Sequence, residues 1–476
     1  MRRRRDIRKE AERLTTGQIN RRRFVMSALA TGVTLPTAMS LATKAEALVP
    51  KRGGHLRIAL PAGRAFDAAL AFATGNGLTE RDETGATIGE LARDFGTDDG
   101  GQTWVFDLHR DVTMTDGRPL TAEGVAQSLL RADPALLPGL RDITATDTHQ
   151  VTLRLDHADM TLPERLADPR FVITRLAKDG SLIGTGGYVV ESRDSGALHL
   201  VRRADYWKPG RAHLDAVSLS KATDMATLQA DVMAGRIDYA GGIPPEMTAF
   251  LAHLPDIQLA RYEATRALVV HTGPDAPTGI NGIRALRAGI DRDAFVERAL
   301  FGHGRPGDDL PLPPAPDRHA RTSPAAAPPE GPVTLSAEAP LPWLPHLADM
   351  AARAGIALHQ TLDPRTGTLT ATSFDADSFA HWATGAAMAG EIFAHDTAAC
   401  ARVAAGLSAA RALEDSTARR EEMAHACRGF AQDGGLFVPA WADDLAAHTA
   451  RLARPAQTTP HLPNDGHRLI ERWWFA

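Results

Sequence analysis

The sequence predicts a mixed α/β chain built in two halves. Three observations carry that expectation. Up to about residue 270, apolar residues alternate in short runs bounded by turn formers, the mark of half-buried strands. From about 271 to 450, strand-like runs alternate with helical periodicity, and a Pro- and Ala-rich stretch, 305–332, forms a long surface connection. At 476 residues, 43% of them apolar, the chain is too long for one ordinary domain and rich enough in apolar groups for real cores.

The elements follow in order. "GGHLRIAL" (53–60) is a buried-type strand, and "QTWVFDLHRDV" (102–112) alternates as a half-buried one. In "VTMTDGRPLTAEGVAQSLLR" (112–131) the Asp116-Gly117 turn leads to a helix capped by Thr121, with Glu123 in its first turn where the dipole favours an acid. "HQVTLRLD" (149–156) is a further strand, "GTGGYVVESRDSGALHLVRRADYW" (184–207) a hairpin turning at Asp194-Ser195-Gly196, and "LDAVSLS" (214–220) a strand. A Thr-capped helix ends at Gly235, and "PPEMTAFLAHLP" starts a helix on proline. Strands recur at "IQLARYEA" and "RALVVHTG", and "IRALRAGIDRDAFVERALFG" is helical to about Gly302. After the Pro/Ala connection come a strand, a helix and a strand, then helices at about 397–412 and 416–433, the strand "GLFVPAWAD", and the tail "HRLIERWWFA", which is too apolar to hang free.

Residues 1–47 carry a net charge of +7, while residues 48–476 carry −12, so the first part reads as an address. "NRRRFVMSALATG" resembles a twin-arginine export signal, with Arg21, Arg22 and Phe24 in the motif and Ala45 and Ala47 in the small-residue pattern of a cleavage site. The uncharged stretch 24–43 is long enough for a membrane anchor, but eight of its twenty residues are Ser, Thr, Gly or Pro, which weakens insertion. A soluble periplasmic chain is expected. Its acidic charge argues against nucleic acid as a partner.

No catalytic motif is present. There is no G-x-S-x-G elbow, no H-E-x-x-H and no Gly-Lys dipeptide for a phosphate loop, so no enzyme activity and no cofactor are expected. "GTGGY" precedes a strand rather than a helix and reads as a chain-reversal glycine cluster. His381 and His395 flank Trp382 at no ligand spacing of note. With only two cysteines, a Cys-based zinc site is excluded. Cys400 and Cys427 stand equally far from the turn expected near 413.5, so a helical hairpin pivoting there would bring them face to face. A disulfide or two buried thiols are the alternatives.

Six segments in order resemble the extracellular solute-binding proteins of ABC importers, peptide- and nickel-binding family 5: "GGHLRIAL", "ELARDF…GQTWVFDLHRDVTMTDGRPLTAEGVAQSLLR", "GTGGYVVES…RRADYWKPGRAHLDAV", "ATLQADVMAGRIDYAGGIPPE", "INGIRALRAGIDRDAFVERALFGHGRPGDDLP" and "GGLFVPAW". The resemblance implies a two-lobed periplasmic binding protein fold of type II, with mixed sheets flanked by helices. The first lobe would use 48–85, 183–270 and 450–476, with a subdomain inserted at 86–182, and the second lobe would span 271–449. It also implies a monomer that closes on a peptide or similar small organic solute and delivers it to an inner-membrane permease. A metal-chelate binder of the nickel type is the alternative, as is a relative that has lost transport and acts as a chaperone or sensor.

Departures from the family pattern include His271 where Asn is common, Gly187 where Pro is frequent, a shortened region after Pro311, and Ala, Thr, Gly and Met after Trp382. Trp382 is either a core aromatic or a cleft wall, since aromatics bury much area with little entropy loss. Tyr262, Arg266 and His271 lie on strands expected to cross between lobes, at a cleft, a hinge or an interface. Asp396 and Glu391 are the nearest carboxylates for a peptide amine.

Overall fold

The computed structural model describes residues 21–30, 34, 38–39, 49–194, 196–222, 224–272, 279–314, 333–337, 340–361, 369–376, 379, 382–383, 392–393, 396–455 and 461–476. Ala45, Ala47, Glu391, His381 and His395 lie outside them. Arg21 and Arg22 open the helix Arg21–Ala30, on which Phe24 is buried. Among the described residues, no helix is long and apolar enough to cross a membrane.

One mixed sheet runs through both halves. In the first half, His55–Pro61 pairs in parallel with Ala216–Ala222 and Tyr239–Gly241, and the hairpin Tyr188–Arg193/Ala197–Arg202 extends the edge. In the second half, Leu369–Asp375 pairs in parallel with Val333–Ala337, which pairs with Leu358–Thr361. Two long antiparallel strands join these halves: Ile257–Thr272 outward and Ala440–Thr449 on return.

The change of partners falls inside these strands. Ile257–Tyr262 pairs with 444–449, whose other edge holds Tyr239–Gly241. After an irregularity between Tyr262 and Arg266, the strand resumes pairing with the return strand at Arg266–Ala442 and Ala267–Trp441 and gains Asp375–Leu369 on its other edge. Ala264 sits in that irregularity at φ 51, a left-handed conformation unfavourable for a residue with a β-carbon. The Asp443 carboxylate accepts its N–H at 2.9 Å, and Thr265 and Arg266 both donate to Asp444, at 3.0 and 2.7 Å. Two adjacent aspartates on the return strand thus staple the bulge on the outward one.

Each half has its own core. Leu56, Ile58, Phe66, Tyr188, Leu219 and Trp473 pack beneath the first, and Leu268, Ile283, Phe295, Leu335 and Trp343 beneath the second. A separate four-stranded antiparallel sheet within 92–155 packs Trp104, Phe106 and Leu153 against Val125 of the helix Ala122–Leu129. That helix begins as its sequence predicts, with Thr121 accepting from Gly124 N–H at 3.2 Å and Gly117 at φ 78. "GTGGY" is structural, but its glycines serve close approach rather than reversal. A β-carbon on Gly186 would lie 2.3 Å from the Thr74 backbone, at the end of the helix Arg64–Thr74. The tail is buried, with Trp474 and Phe475 paired to Ala453 and Leu452 and Trp473 set edge-on to Tyr239.

The helices Thr397–Arg411 and Ser416–Gln432 form the expected hairpin, but Cys400 and Cys427 are not joined in a disulfide. Gly406 packs on Ala426 and Gly429 on Val403, too closely for a β-carbon on either glycine. This register places Cys427 level with Ala405, so Cys400 lies about 7.5 Å farther along the axis, at 1.5 Å per residue. The pivot lies nearer residue 416 than 413.5.

A buried ion network ties the tail to the start of the inserted sheet. Arg468 grips Glu90 bidentately at 2.7 Å on both oxygens and reaches Glu471 at 2.9 Å. Lys208 contacts Glu80, Glu90 and Glu471 at 2.7, 2.9 and 3.2 Å. Burial alone raises the pKa of Glu90 and Glu471, but the Arg468 and Lys208 charges outweigh it and hold both below the ordinary carboxylate range. Glu80 moves the other way, raised by burial and by the charge of Glu90. Removing one cation strands buried carboxylates, so Arg468→Met is expected to lower unfolding free energy by about 3–5 kcal/mol in urea titrations. A loss below about 1 kcal/mol would show that the network is relaxed by water or by proton uptake.

Candidate functional site

Between the bulge of the outward strand and the segment 161–171, the two halves border a cavity of about 280 Å³. The first half contributes Arg64, Phe72 and Gly466–Arg468, and the segment 161–171 contributes Arg165, Asp168 and Arg170. The second half contributes Leu312, Asp375, Arg411 and Met423, and the bulge itself Thr265.

Local sequence explains several of these placements. Arg64 is the first residue of its helix, set there by Gly63 at φ 88. Asp168 caps a short 3₁₀ turn by accepting from Arg170 N–H, and so faces both guanidinium groups. The loop Pro463–Arg468, "PNDGHR", is more unusual. Asn464, Asp465, Gly466 and His467 take φ 53, 55, 65 and 63, a left-handed turn of four residues. Asn and Asp tolerate this region best among residues with a side chain, and the turn still costs about 1–2 kcal/mol per non-Gly residue. Buried contacts hold it. Asn464 accepts from Tyr239, Asp465 meets Arg472 at 3.2 Å and Trp473 at 3.3 Å, and Arg468 is locked by Glu90.

Contacts already cross the cavity mouth. Arg64 reaches Asp168 on the inserted segment and Asp375 on the second half, each at 3.0 Å. Met160 N–H donates to the Arg411 carbonyl at 2.8 Å, and Arg419 stands 3.5 Å from Glu164. Burial would raise the Asp168 pKa, but Arg170 and Arg64 outweigh it and hold the carboxyl well below the usual range.

The residues singled out from sequence lie elsewhere. Tyr262 is buried in the first-half core, its hydroxyl 3.4 Å from that of Tyr239. Arg266 is paired to Asp444 beside the bulge. His271 is buried with its ring 4.9 Å from Trp382, and burial lowers its pKa. Trp382 packs with Phe374 and Phe379 at 4.8 and 5.9 Å, as a member of an aromatic cluster. Asp396 caps the helix Thr397–Arg411, accepting from Ala399 N–H at 2.9 Å. None of these five lines the cavity. The bulge is the physical reason on the outward strand, because it breaks the alternation and turns Thr265 to the opening.

Glu80, Glu90 and Glu471 bring one oxygen each within 4.8 Å of one another, as metal ligands do. The Lys208 ammonium touches all three, so the cation of this cluster is a side chain.

Comparison with known proteins bears on this arrangement. A family model described as bacterial extracellular solute-binding proteins, family 5 Middle, matches residues 86–351. The chain belongs to that family. A curated relative, the glutathione-binding protein GsiB of Escherichia coli O1:K1, is 26% identical over 308 residues. That alignment covers 60% of this chain and 60% of the relative's length. Among solved structures, AgaA from A. tumefaciens R10 in complex with agropinic acid matches at TM-score 0.74 and 18% identity, covering 89% of this chain and 99% of AgaA. DppA from Helicobacter pylori in complex with the peptide STSA matches at 0.72 and 15%, covering 91% and 100%. NikA from Staphylococcus aureus in complex with Ni(L-His)2 matches at 0.67 and 17%, covering 86% and 97%. The fold is that of the two-lobed periplasmic binding proteins.

His467 makes the site sensitive to acid. Burial and the nearby Arg64 charge push its pKa down to about 4, against the pull of Asp444, Asp375 and Asp168. The unfolded histidine takes up a proton near 6.5, so between about 6.5 and 4 the unfolded state binds more protons and stability is lost as the pH is lowered. His467→Asn keeps a side chain that tolerates the left-handed backbone. The variant is expected to lose less stability than the parent between pH 6.5 and 4, by on the order of 2 kcal/mol in denaturant titrations. Parallel pH slopes for the two proteins would rule out this role for His467.

Proposed function

We propose that this chain is the substrate-binding protein of an ABC importer. It would capture a peptide or similar small organic solute between two closing lobes and hand it to a membrane permease. The observation that carries this reading is a cavity walled by both halves of the molecule and by the bulge of the strand joining them. A solute touching both walls binds the closed state better than the open one, so binding drives closure without covalent chemistry. The charged and hydrogen-bonding groups of the wall suit a polar solute, partly through bridging water. Relatives carrying glutathione, a peptide and agropinic acid in their names point to the same class of solute. The lobes are proposed to divide at the bulge, with 86–182 as the inserted subdomain. We assign export to the twin-arginine pair Arg21-Arg22, which gives a periplasmic protein, and we take it to act as a monomer.

His461 and His467 on the cavity wall favour one second reading, a metal-chelate solute.

Mass spectrometry of protein purified natively from the periplasm should find a copurifying peptide-like solute. Adding that solute back at about 100 times its dissociation constant should add roughly 2.7 kcal/mol of stability. Recovery of nickel chelates alone would favour the second reading. Failure of peptides, opines and chelates alike to shift the melting temperature would count against solute capture. The double variant Arg21→Lys/Arg22→Lys should stay in the cytoplasm, and its export at the normal rate would remove the twin-arginine assignment.

A further inference from the structure

Away from the cavity, the outer face of the first-half sheet brings two histidines to one serine. Leu56, Leu200 and Val217 point into the first-half core, so strand alternation sets their neighbours His55, His199 and Ser218 on the opposite face, on three adjacent strands. His199 stands directly across from Ser218 in the ladder, while His55 is paired to Ala216 and so lies diagonal to Ser218. The His55 Nε2 and the His199 Nδ1 approach the same Ser218 hydroxyl, at 2.8 and 3.0 Å. None of these three residues lines the cavity.

The far side of the His199 ring is fixed. Its Nε2 lies 2.8 Å from Asp194 Oδ2. Asp194 is itself held by the hairpin turn, where its Oδ1 accepts from Gly196 and Ala197 N–H at 2.9 and 2.7 Å. The hydrogen bond from His199, with those two backbone donors, holds the Asp194 carboxyl down to about 2. Asp194 is therefore a carboxylate that accepts from Nε2–H, and the Nδ1 lone pair of His199 is left facing Ser218. One hydroxyl carries one proton and can donate to only one of the two imidazoles. Carboxylate, imidazole and hydroxyl in this order also make a hydrolytic triad, but the strand of Ser218 is paired on both edges and has no spare backbone N–H for an oxyanion.

We propose that His55 and His199 form a binding site for a divalent transition-metal ion on the outer face of this sheet, with the Ser218 hydroxyl oxygen on its inner side. Two ligands held at about 2.0–2.1 Å from one ion stand roughly 3 Å apart. Each imidazole nitrogen already keeps that spacing from Ser218 Oγ. Imidazole ligands select zinc, copper or nickel over magnesium and calcium, which prefer oxygen. A metal-ligating histidine commonly donates its other ring N–H to a carboxylate, as His199 does to Asp194. Arg57, the next residue of its strand on this face, is neutralised by Asp238 at 2.8 and 2.9 Å. On binding, His55 gives its Nε2 lone pair to the ion and carries its ring proton on Nδ1. The ion then ties the strand His55–Pro61 to the edge hairpin across the strand Ala216–Ala222.

Calorimetric titration of chelator-treated protein with Zn2+ tests the site, on the parent and on His55→Gln, His199→Gln and Asp194→Asn. The parent should show a binding event that each histidine variant loses. Asp194→Asn keeps a side-chain oxygen for the turn but removes the carboxylate behind His199, and should weaken Zn2+ binding by about 10- to 100-fold. Excess Mg2+ should not displace the ion. With Cu2+ as the probe, electron paramagnetic resonance of the parent should show coupling to two imidazole nitrogens, and that of His55→Gln to one. Zn2+ binding unchanged in both histidine variants, displacement by Mg2+, or fewer than two coupled imidazoles in the parent would overturn the site. Solute binding in the cavity is measured separately and does not depend on the outcome.

Discussion

Two antiparallel strands, Ile257–Thr272 and Ala440–Thr449, are the constraint on which the rest of the structure depends. Each is continuous through both halves, so the backbone hydrogen bonds of the first half run directly into those of the second. The pairing is interrupted at one place, between Tyr262 and Arg266, where the ladder changes neighbours. An interrupted ladder bends more readily than a regular one and twists more strongly. Asp443 and Asp444 define that bend by holding Ala264, Thr265 and Arg266 through side-chain acceptors. The cavity opens at this point because the two halves diverge from it.

The first wall of the cavity is made rigid by charge. Arg468 serves two environments at once, with its guanidinium bound to Glu90 and Glu471 and its face 4.0 Å above the Phe72 ring. Lys208 completes the balance of the three glutamates. The left-handed turn Asn464–His467 depends on this anchor, because its strain is offset by the contacts of Asp465 and Arg468 that flank it. The second wall carries the opposite property. It presents Arg411, a cation without a partner of its own among the described residues, on the end of a helix whose dipole favours it.

Much of the fold was legible in the sequence. Element order, the Thr121 cap, the buried Trp473-Trp474 tail and the helical hairpin all follow from periodicity and capping, which are local. The candidate site was not. Its charged residues, Arg64, Arg165, Arg411 and His467, are spread over some four hundred positions, and whether an arginine is neutralised depends on partners equally remote. Tyr262 and Arg266 were drawn from the correct strand, but the bulge between them resets which side chains face the opening. A five-residue shift in the register of the helical hairpin likewise separates the thiols: the close contacts Gly406–Ala426 and Gly429–Val403 set where Cys400 and Cys427 fall. One signal for the site was present, the run "PNDGHR" at 463–468, whose Asn, Asp and Gly tolerate positive φ and precede an arginine that needed a buried partner.

The central claim is that the two halves close on a solute about the bulged strands. Small-angle X-ray scattering tests it most directly, comparing protein stripped of its solute by partial unfolding and refolding with the same protein saturated with the solute recovered from the native preparation. Saturation should lower the radius of gyration, as the halves turn inward about residues 263–265 and 443 without a change in secondary structure. An unchanged radius, with binding established independently by calorimetry, would contradict it.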